Sequence, residues 1–341
     1  MQQVQIPRHG DPEVLEVIER PDPEPGPGKV AVAVRAAGIN FADIMARMGL
    51  YQDAPKPPLV VGYEVSGTID AVGDGVDPAR LGERVLAMTR FGGYSSRVVV
   101  ANEQALTLPE GLGFEQGAAL PVAYLTAYHM LIYLGNLHAG ERVLIHSAGG
   151  GVGIAAIQLA RWRGAEVFGT ASAGKHERLR ALGVKHCIDY TQDDFEERVR
   201  RETDGKGVHI ILDAVGGDSF RKSYRALARG GRLFCFGISS FAPGKRRSVL
   251  RAAKELVSMP LFHPVSFMQQ NKGVFGVNMG DFWDEKDVIL EEMADLLQLY
   301  REGVIDPPLD RAFPHTQAAD AHRYIQDRKN FGKVVLTFED R

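Results

Sequence analysis

A glycine-rich stretch, residues 148–153, separates an apolar run from a helical pattern. When it is read as G-x-G-x-x-G, the key positions are Ala148, Gly150 and Gly153, so alanine replaces the first glycine. Gly150 would let the backbone approach a pyrophosphate, and Gly153 would let a helix pack closely on the preceding strand. That helix would offer free N–H groups and its positive dipole end to phosphates. The stretch predicts a dinucleotide-binding turn, and a tight turn without a ligand is the alternative.

The tip of the next predicted strand, residues 169–175, indicates which dinucleotide would bind. A carboxylate about 20 residues after the glycines would bind the ribose 2′-hydroxyl of NAD, and none stands at this tip. Ser172 and Lys175 stand there instead, and a small hydroxyl and an ammonium suit a 2′-phosphate dianion. These residues favour NADPH. The alternative is that Lys175 only caps the start of its own helix.

Strands and helices alternate around this turn, which predicts βαβ units and a parallel sheet covered on both faces. Helices are expected at 123–135, 152–162 and 175–182. The predicted strands are residues 142–146, 165–169, 186–189, 208–213, 232–237 and 273–277.

The two ends of the chain have other patterns. The first 120 residues contain short β-prone runs with glycine and proline between them, which favours a compact barrel or sandwich. The last 55 residues predict a helix at 285–301, a loop at 306–311 and a closing strand at 332–338.

Composition narrows the functional classes. Of 341 residues, 38 are glycine, and the net charge of −3 gives no basic field for nucleic acid. The two cysteines, Cys187 and Cys235, cannot form a disulfide framework or a four-cysteine zinc lobe, so a reduced, cytoplasmic protein is expected. The N-terminus shows no apolar signal-peptide region. The longest apolar stretch, 148–160, is too short to span a bilayer, so no integral membrane segment is expected.

Several blocks of the sequence resemble the quinone oxidoreductases, zinc-independent members of the medium-chain dehydrogenase/reductase superfamily. The resemblance covers essentially the whole chain in order, and three further blocks (136–137, 168–177 and 188–190) are most similar to the vesicle amine transport protein branch. The superfamily blocks are residues 38–51, 62–67, 72–76, 82–85, 118–128, 148–153 and 330–335.

The resemblance implies an α/β fold, in which a Rossmann domain with a six-stranded parallel sheet joins a GroES-like, β-rich catalytic domain that is split in sequence. Residues 1–123 would form the first part of the catalytic domain, 124–284 the NADPH-binding Rossmann domain, and 285–341 the return to the catalytic domain. It also implies a homodimer formed through an edge of the Rossmann sheet.

The residues at two positions argue against zinc. Zinc-binding relatives carry cysteine at the position of Asn40 and histidine at that of Tyr63, and neither an amide nor a phenol is a usual zinc ligand. Glu64 remains, but one carboxylate does not make a site. Neither catalytic nor structural zinc is expected.

Without a metal, hydrogen-bond donors must meet the negative charge that hydride transfer leaves on the substrate oxygen. By analogy with the family's cleft, Asn40, Tyr51 and Tyr63 are the candidates. Asp43 is expected to orient its neighbours. The alternatives are a packed loop aromatic for Tyr51 and a helix N-terminal charge for Asp43.

The resemblance also assigns the cofactor contacts. His129, His138 and His146 are interpreted as helix, loop and strand-end residues without a catalytic role. The assigned contacts are Thr126 at the nicotinamide; Gly149, Gly150, Gly151, Val152 and Gly153 at the phosphates; Ser172, Lys175 and Tyr190 at the 2′-phosphate; Phe236, Gly237 and Ser239 at the far wall; Phe275, Gly276 and Val277 at the nicotinamide end; and Lys333 closing from the C-terminal segment.

The resemblance therefore predicts NADPH-dependent reduction of a small-molecule quinone or α,β-unsaturated carbonyl, without a metal. The alternatives are an enoyl or alkenal reductase with little quinone activity, and a non-catalytic NADPH-binding interaction protein. A basic and apolar segment, 241–272, is interpreted as a helical excursion packed on a dimer or cleft rim. It is alternatively a lid, or a face for acidic lipid or a partner.

Overall fold

The first part of the chain forms short strands, as predicted. The computed structural model describes residues 1–241, 255 and 257–339. Val30, Val32 and Val34 alternate on the buried face of the longest early strand, as the two-residue period of a strand requires. The strands are β1 (Gln2–Gln5), β2 (Glu16–Glu19), β3 (Lys29–Ile39), β4 (Glu64–Val72), β5 (Arg84–Met88), β6 (Arg97–Ala101) and β7 (Ala105–Thr107).

The middle of the chain forms the predicted six-stranded parallel sheet. Its strands are β8 (Arg142–Ile145), β9 (Glu166–Ala171), β10 (His186–Asp189), β11 (Val208–Asp213), β12 (Leu227–Cys235) and β13 (Gly273–Gly276). They lie in the order β10-β9-β8-β11-β12-β13, and every pair is parallel. This is the Rossmann order. Val143, Leu144 and Ile145 of β8 are all buried, because helices cover both faces of the sheet.

Helices of the first 226 residues pack on these sheets. Ile154 and Ile157 of the helix that follows the glycine turn are fully buried in the same apolar cluster as Ile145. The helices are α1 (Phe41–Met48), α2 (Phe114–Gly117), α3 (Pro121–Tyr128), α4 (Gly151–Trp162), α5 (His176–Ala181), α6 (Phe195–Glu202) and α7 (Asp218–Ala226). Single 3₁₀ turns span Pro12–Val14, Pro78–Arg80, Asn102–Gln104, Ala173–Lys175, Ser239–Phe241, Asp281–Asp284 and His315–Gln317.

The C-terminal part returns to the first sheet. It contains α8 (Pro264–Gln270), α9 (Lys286–Arg301), β14 (Leu309–Pro314), α10 (Ala318–Gln326) and β15 (Lys333–Thr337). β15 lies between β14, to which it is parallel, and β3, to which it is antiparallel. The expected loop at 306–311 is wrong in part, because its last residues pair with β15 and begin a strand.

Two features concern the expected domain boundaries and membrane segments. Helix α9 packs against α3, and its Met293 and Leu296 lie in the apolar cluster of the parallel sheet. The boundaries at 123 and 285 stay a prediction. Among the helices of the described residues, none is long and apolar enough to cross a membrane.

The predicted helix at 123–135 is wrong at both ends. Helix α3 already begins at Pro121, because proline is favoured in the first helical turn, where its missing N–H costs no hydrogen bond. It ends at Tyr128, and a π-helical turn follows at His129–Tyr133. In that turn the N–H of Leu134 donates to the carbonyl of His129.

The segment 241–272 is described only in part. Phe262 and Phe267 pack on Tyr224 of α7, with ring centroids 5.4 and 5.8 Å from that of Tyr224. Leu261 and Met268 are exposed. The basic residues that motivated the lid and partner interpretations, Lys245, Arg246, Arg247, Arg251 and Lys254, lie outside the described residues.

Candidate active site

The glycine turn has the local geometry that the fingerprint predicts. A Cβ on Gly153 would lie 2.6 Å from the carbonyl oxygens of Ser147 and Ala148, so any larger residue would push α4 away from the turn. A Cβ on Gly150 would meet only the Ser147 carbonyl, at 3.3 Å, which leaves its outer side open to a ligand. Gly149, Gly151 and Val152 complete the start of α4, whose first N–H groups have no partner inside the helix.

The C-terminal segment closes against this turn. The N–H of Gly332 donates to the carbonyl of Gly149 over 2.9 Å, and Gly150 and Gly332 form an isolated β-bridge. A Cβ on Gly151 would lie 3.5 Å from Cδ of Lys333. The aliphatic part of Lys333 therefore lies along the turn.

A basic cluster lies at the tip of β9, where the 2′-phosphate is expected. Lys175 Nζ donates to the carbonyl of Asn330 over 2.6 Å, and burial lowers the pKa of Lys175. Its side chain does not cap α5, so the capping alternative is not what the structure shows. Ser172 precedes Lys175 in the same turn, and Tyr190 is 41% exposed.

Sequence reasoning missed Arg328 in this cluster. Its Nη1 donates to the hydroxyl of Tyr190 over 3.2 Å, and its guanidinium lies 5.5 Å from the ring centroid. Arg328 has a φ of +57°, a strained conformation for a residue with a side chain. The two residues are 138 positions apart, so no local spacing in the sequence connects them.

The predicted nicotinamide side is only partly assembled around Thr126. The Thr126 hydroxyl donates to the carbonyl of Val122 in its own helix, over 2.6 Å. Gly276 and Val277 line a cavity of about 670 Å³ at the end of β13, close to Phe275. Phe236, Gly237 and Ser239 follow β12, and the N–H groups of Phe236 and Ser239 donate to the carbonyls of Asp213 and Ala214. The cofactor roles of all these residues stay predictions.

Asn40, Glu64 and Lys333 form one buried hydrogen-bonded group. Lys333 Nζ donates to Asn40 Oδ1 over 2.6 Å and pairs with Glu64 Oε1 at 2.5 Å. Asn40 Nδ2 donates to the same Glu64 oxygen over 2.9 Å, and the N–H of Val122 donates to Glu64 Oε2 over 2.7 Å. The Asn40 amide cannot flip, because its oxygen faces an ammonium and its nitrogen faces a carboxylate. One Asn40 N–H has no protein partner within the described residues.

Asp43 is fully buried behind Asn40 and accepts three hydrogen bonds. The donors are the N–H of Asn40 at 2.7 Å, the N–H of Gly62 at 2.9 Å and the hydroxyl of Tyr94 at 3.2 Å. Burial raises the pKa of Asp43 to about 7, and the backbone hydrogen bonds oppose this increase. Asp43 thus holds the loop that carries Asn40, as expected for a residue that orients its neighbours.

Tyr51 and Tyr63 lie side by side in an edge-to-face arrangement, with ring centroids 6.4 Å apart. The Tyr51 hydroxyl donates to Asn278 Oδ1 over 3.1 Å, and Asn278 Nδ2 donates to Asp53 over 2.6 Å. The Tyr63 hydroxyl is buried and has no hydrogen-bond partner among the described residues. Burial raises the pKa of both tyrosines, so each hydroxyl keeps its proton at neutral pH and is able to donate it in a hydrogen bond.

His146 illustrates how a buried histidine serves the fold. Its Nδ1 contacts the hydroxyl of Thr170 and its Nε2 that of Ser223, each at 3.1 Å. Asp213 accepts from the same Ser223 hydroxyl over 2.7 Å. His146 is a strand-end residue with its hydrogen bonds satisfied, as the sequence suggested.

Replacement of Lys333 by methionine is expected to cost about 3–5 kcal/mol of unfolding free energy, because Glu64 would stay buried without its cation. The measurement is urea unfolding of both proteins. Lys185→Met is the control, since Lys185 pairs with Glu166 while 62% exposed, and it should cost less than about 1 kcal/mol. A loss for Lys333→Met as small as that of the control would contradict the role of the pair.

The raised pKa of Asp43 predicts a pH dependence of stability. The unfolded chain releases this proton near pH 3.8, whereas the folded chain keeps it until about pH 7. The contribution of Asp43 is therefore most favourable below pH about 4 and is lost as pH rises through 7. A ¹³C NMR titration of the carboxyl groups checks this, with exposed Asp189, whose pKa is lowered by hydrogen bonds from Thr191, as reference. Titration of Asp43 below that reference would refute it.

Comparison with known proteins agrees with this architecture. The alcohol dehydrogenase GroES-like domain model matches residues 26–132, and the zinc-binding dehydrogenase model matches residues 182–336. The synaptic vesicle membrane protein VAT-1 homolog of Danio rerio is 42% identical over 313 residues, which are 92% of this chain but 64% of that protein. Its counterpart in Rattus norvegicus is 40% identical over 315 residues, which are 92% of this chain and 78% of that protein.

Solved structures show the same fold over the whole chain. The human VAT-1 homolog-like protein superposes with a TM-score of 0.86 at 30% identity, covering 100% of this chain and 99% of its own. Escherichia coli quinone oxidoreductase complexed with NADPH gives 0.87 at 29%, covering 99% and 100%. CurK enoyl reductase gives 0.86 at 28%, covering 99% of both chains. The chain therefore belongs to the medium-chain dehydrogenase/reductase superfamily, in the family of the VAT-1 homologs.

Proposed function

We propose that this protein uses NADPH to reduce quinones or α,β-unsaturated carbonyl compounds, without a metal. The observation that carries the proposal is the fixed amide of Asn40. Its oxygen accepts from Lys333, one N–H donates to Glu64, and the other N–H is free for a substrate oxygen. A donor held rigid before substrate arrives loses little free energy to reorganisation when negative charge develops on that oxygen.

The residues around the glycine turn fit NADPH. Gly150 leaves the backbone open at the start of α4, where a pyrophosphate is favoured. Lys175 and Arg328 supply two cationic groups, and Tyr190 a hydroxyl, at the expected place of a 2′-phosphate. Escherichia coli quinone oxidoreductase, which shares this fold, is an NADPH complex. When bound, NADPH supplies a hydride from its nicotinamide ring.

The chain's own residues would then orient the acceptor and stabilise its charge. The free N–H of Asn40 and the unpartnered hydroxyl of Tyr63 are the donors for the acceptor oxygen. Lys333 lies on the far side of the amide and polarises it, which makes the N–H a stronger donor. Tyr51 is held by Asn278 and borders the same space.

The same group of residues does not fit zinc. Asn40 Oδ1 and Glu64 Oε1 both contact the ammonium of Lys333, so a cation of the chain itself lies between the potential ligands. A divalent ion there would face repulsion from that ammonium, and the raised pKa of Tyr63 keeps its phenol protonated. The zinc-binding description of the matching family model is therefore not carried over to this chain.

A homodimer in the cytoplasm belongs to the same proposal. β13 is the last strand of the parallel sheet, so one of its edges is without a partner strand within the described residues. The family resemblance implies pairing through such an edge. The VAT-1 homologs carry a vesicle membrane protein name, which is the reason to keep a non-catalytic, NADPH-binding interaction protein as an alternative.

The reaction is tested by following NADPH absorbance at 340 nm with 1,2- and 1,4-quinones, enones and enoyl thioesters. Oxidation with quinones and enones is expected. Oxidation with enoyl thioesters alone would favour the enoyl reductase alternative, consistent with the likeness to CurK enoyl reductase. Tight NADPH binding without oxidation of any acceptor would leave the interaction protein.

Removal of one phosphate contact should separate the two cofactors. Lys175→Ala should raise the Kd for NADPH by about 10- to 100-fold, since a hydrogen bond to a charged group contributes about 1.5–3 kcal/mol. The Kd for NADH should change by less than about 3-fold, because NADH has no 2′-phosphate. Fluorescence titration of both reduced cofactors measures this, with the exposed Lys185→Ala as control. An equal loss for both cofactors would refute the role of Lys175.

A further inference from the structure

A cavity of about 670 Å³ lies outside the carboxyl ends of β12 and β13. Cys235 and Gly276, the last residues of these strands, line it together with Val277, Asn278 and other residues. Ligands of parallel α/β sheets bind outside the carboxyl ends of the strands, and the volume is in the range of small-molecule sites. Through Asn278 the cavity borders Tyr51, one of the predicted substrate contacts.

One wall of this cavity is His129, which sequence reasoning assigned to a helix without a catalytic role. It is three residues after Thr126, so the two lie on the same side of the helix, about one turn apart. His129 begins the π-helical turn, a rare conformation that is often found at functional sites. The turn places an imidazole next to the expected nicotinamide end.

The imidazole is held in one orientation by a buried carboxylate and two rings. Nδ1 of His129 lies 2.7 Å from Oε1 of Glu292, and both side chains are buried. The ring stacks on Tyr133, with centroids 5.1 Å apart, and contacts Phe282 at 4.7 Å. Because a carboxylate only accepts, Nδ1 carries the hydrogen of this bond. Nε2 has no protein partner within the described residues and is the ring nitrogen left for the cavity.

The other polar groups of the wall do not offer the same chemistry. Burial raises the pKa of Cys235 to about 12, so its thiol stays protonated and is a poor acid. Asn278 is engaged with Tyr51 and Asp53. Asp281 and Asp284 are exposed carboxylates that accept hydrogen bonds. A carboxylate–histidine pair with one free ring nitrogen is an arrangement that moves protons in enzymes.

We infer that His129, oriented by Glu292, is the proton donor to the reduced acceptor, an inference that rests on the proposed function. Addition of hydride to the β-carbon of an enone leaves an enolate. The Nε2–H bond of the imidazolium then breaks, its proton bonds to the α-carbon, and the electron pair stays on Nε2. Glu292 stabilises the imidazolium through Nδ1–H, and the neutral ring regains its proton from water.

A quinone and an enone need different protonation steps after hydride addition. The negative charge of the reduced quinone lies on oxygen, which water protonates rapidly after release, whereas an enolate must be protonated on carbon. Loss of the donor should therefore affect enones far more than quinones. The protonated carbon of an α-methyl enone is also a new stereocentre, so the configuration of the product reports whether a fixed group delivered the proton.

The experiment compares wild type, His129→Gln and Glu292→Gln with a 1,4-quinone and an α-methyl enone. For His129→Gln, enone turnover should fall about 100-fold, the usual contribution of a general acid, and quinone turnover less than about 3-fold. The enone product should change from one enantiomer to a near-racemic mixture. Glu292→Gln should shift both readouts in the same direction. His138→Gln, at an exposed loop position, is the matched control and should change neither.

A second readout needs neither cofactor nor acceptor. Two-bond ¹H–¹⁵N NMR of the free protein should show His129, identified by its absence in His129→Gln, with Nδ1 protonated throughout and Nε2 titrating. A ring protonated only at Nε2 overturns the inference. So does an unchanged enone-to-quinone ratio with unchanged product configuration. If wild type reduces neither acceptor, the proposed function fails and this inference fails with it, whereas quinone reduction with an unaffected enone step removes the inference alone.

Discussion

A buried ion pair between Lys333 and Glu64 connects the parts of the chain that form the site. Glu64 begins β4, Lys333 begins β15, and the same carboxylate accepts hydrogen bonds from Asn40 and from the start of α3. Removal of two charges from water costs several kcal/mol each, and the pair compensates for this only when all its hydrogen bonds are made. The position of the Asn40 amide is therefore coupled to the folding of both sheets.

A second buried network supports the same loop from the other side. Arg47 is only a donor, so the His322 Nδ1 it contacts at 3.1 Å must accept, and the His322 Nε2–H then faces the Tyr94 oxygen at 3.1 Å. Tyr94 in turn donates to Asp43. Burial and Arg47 keep the pKa of His322 well below its usual value, so the ring is neutral. The direction of these hydrogen bonds requires a proton acceptor at the Asp43 end.

Local patterns in the sequence predicted much of the fold, because glycine spacing and apolar periodicity depend on neighbouring residues. The turn at Gly150–Gly153 and the six parallel strands are of this kind. Contacts between distant residues could not be predicted from one sequence. Arg328 meets Tyr190, and Glu292 meets His129, only after the chain has folded. The π-helical turn that presents His129 depends on packing against α9, and no residue spacing marks it.

The position of β15 has a consequence for how the protein is made. This strand, only a few residues from the end of the chain, is an interior strand of a sheet whose partner β3 was synthesised almost 300 residues earlier. During translation, β3 therefore waits with an unpaired edge until the last residues leave the ribosome, while the parallel sheet is already complete in sequence. Such open edges pair readily with other chains. The C-terminal strand thus acts as the final step of folding, and a chain that stops before it would expose an edge prone to aggregation.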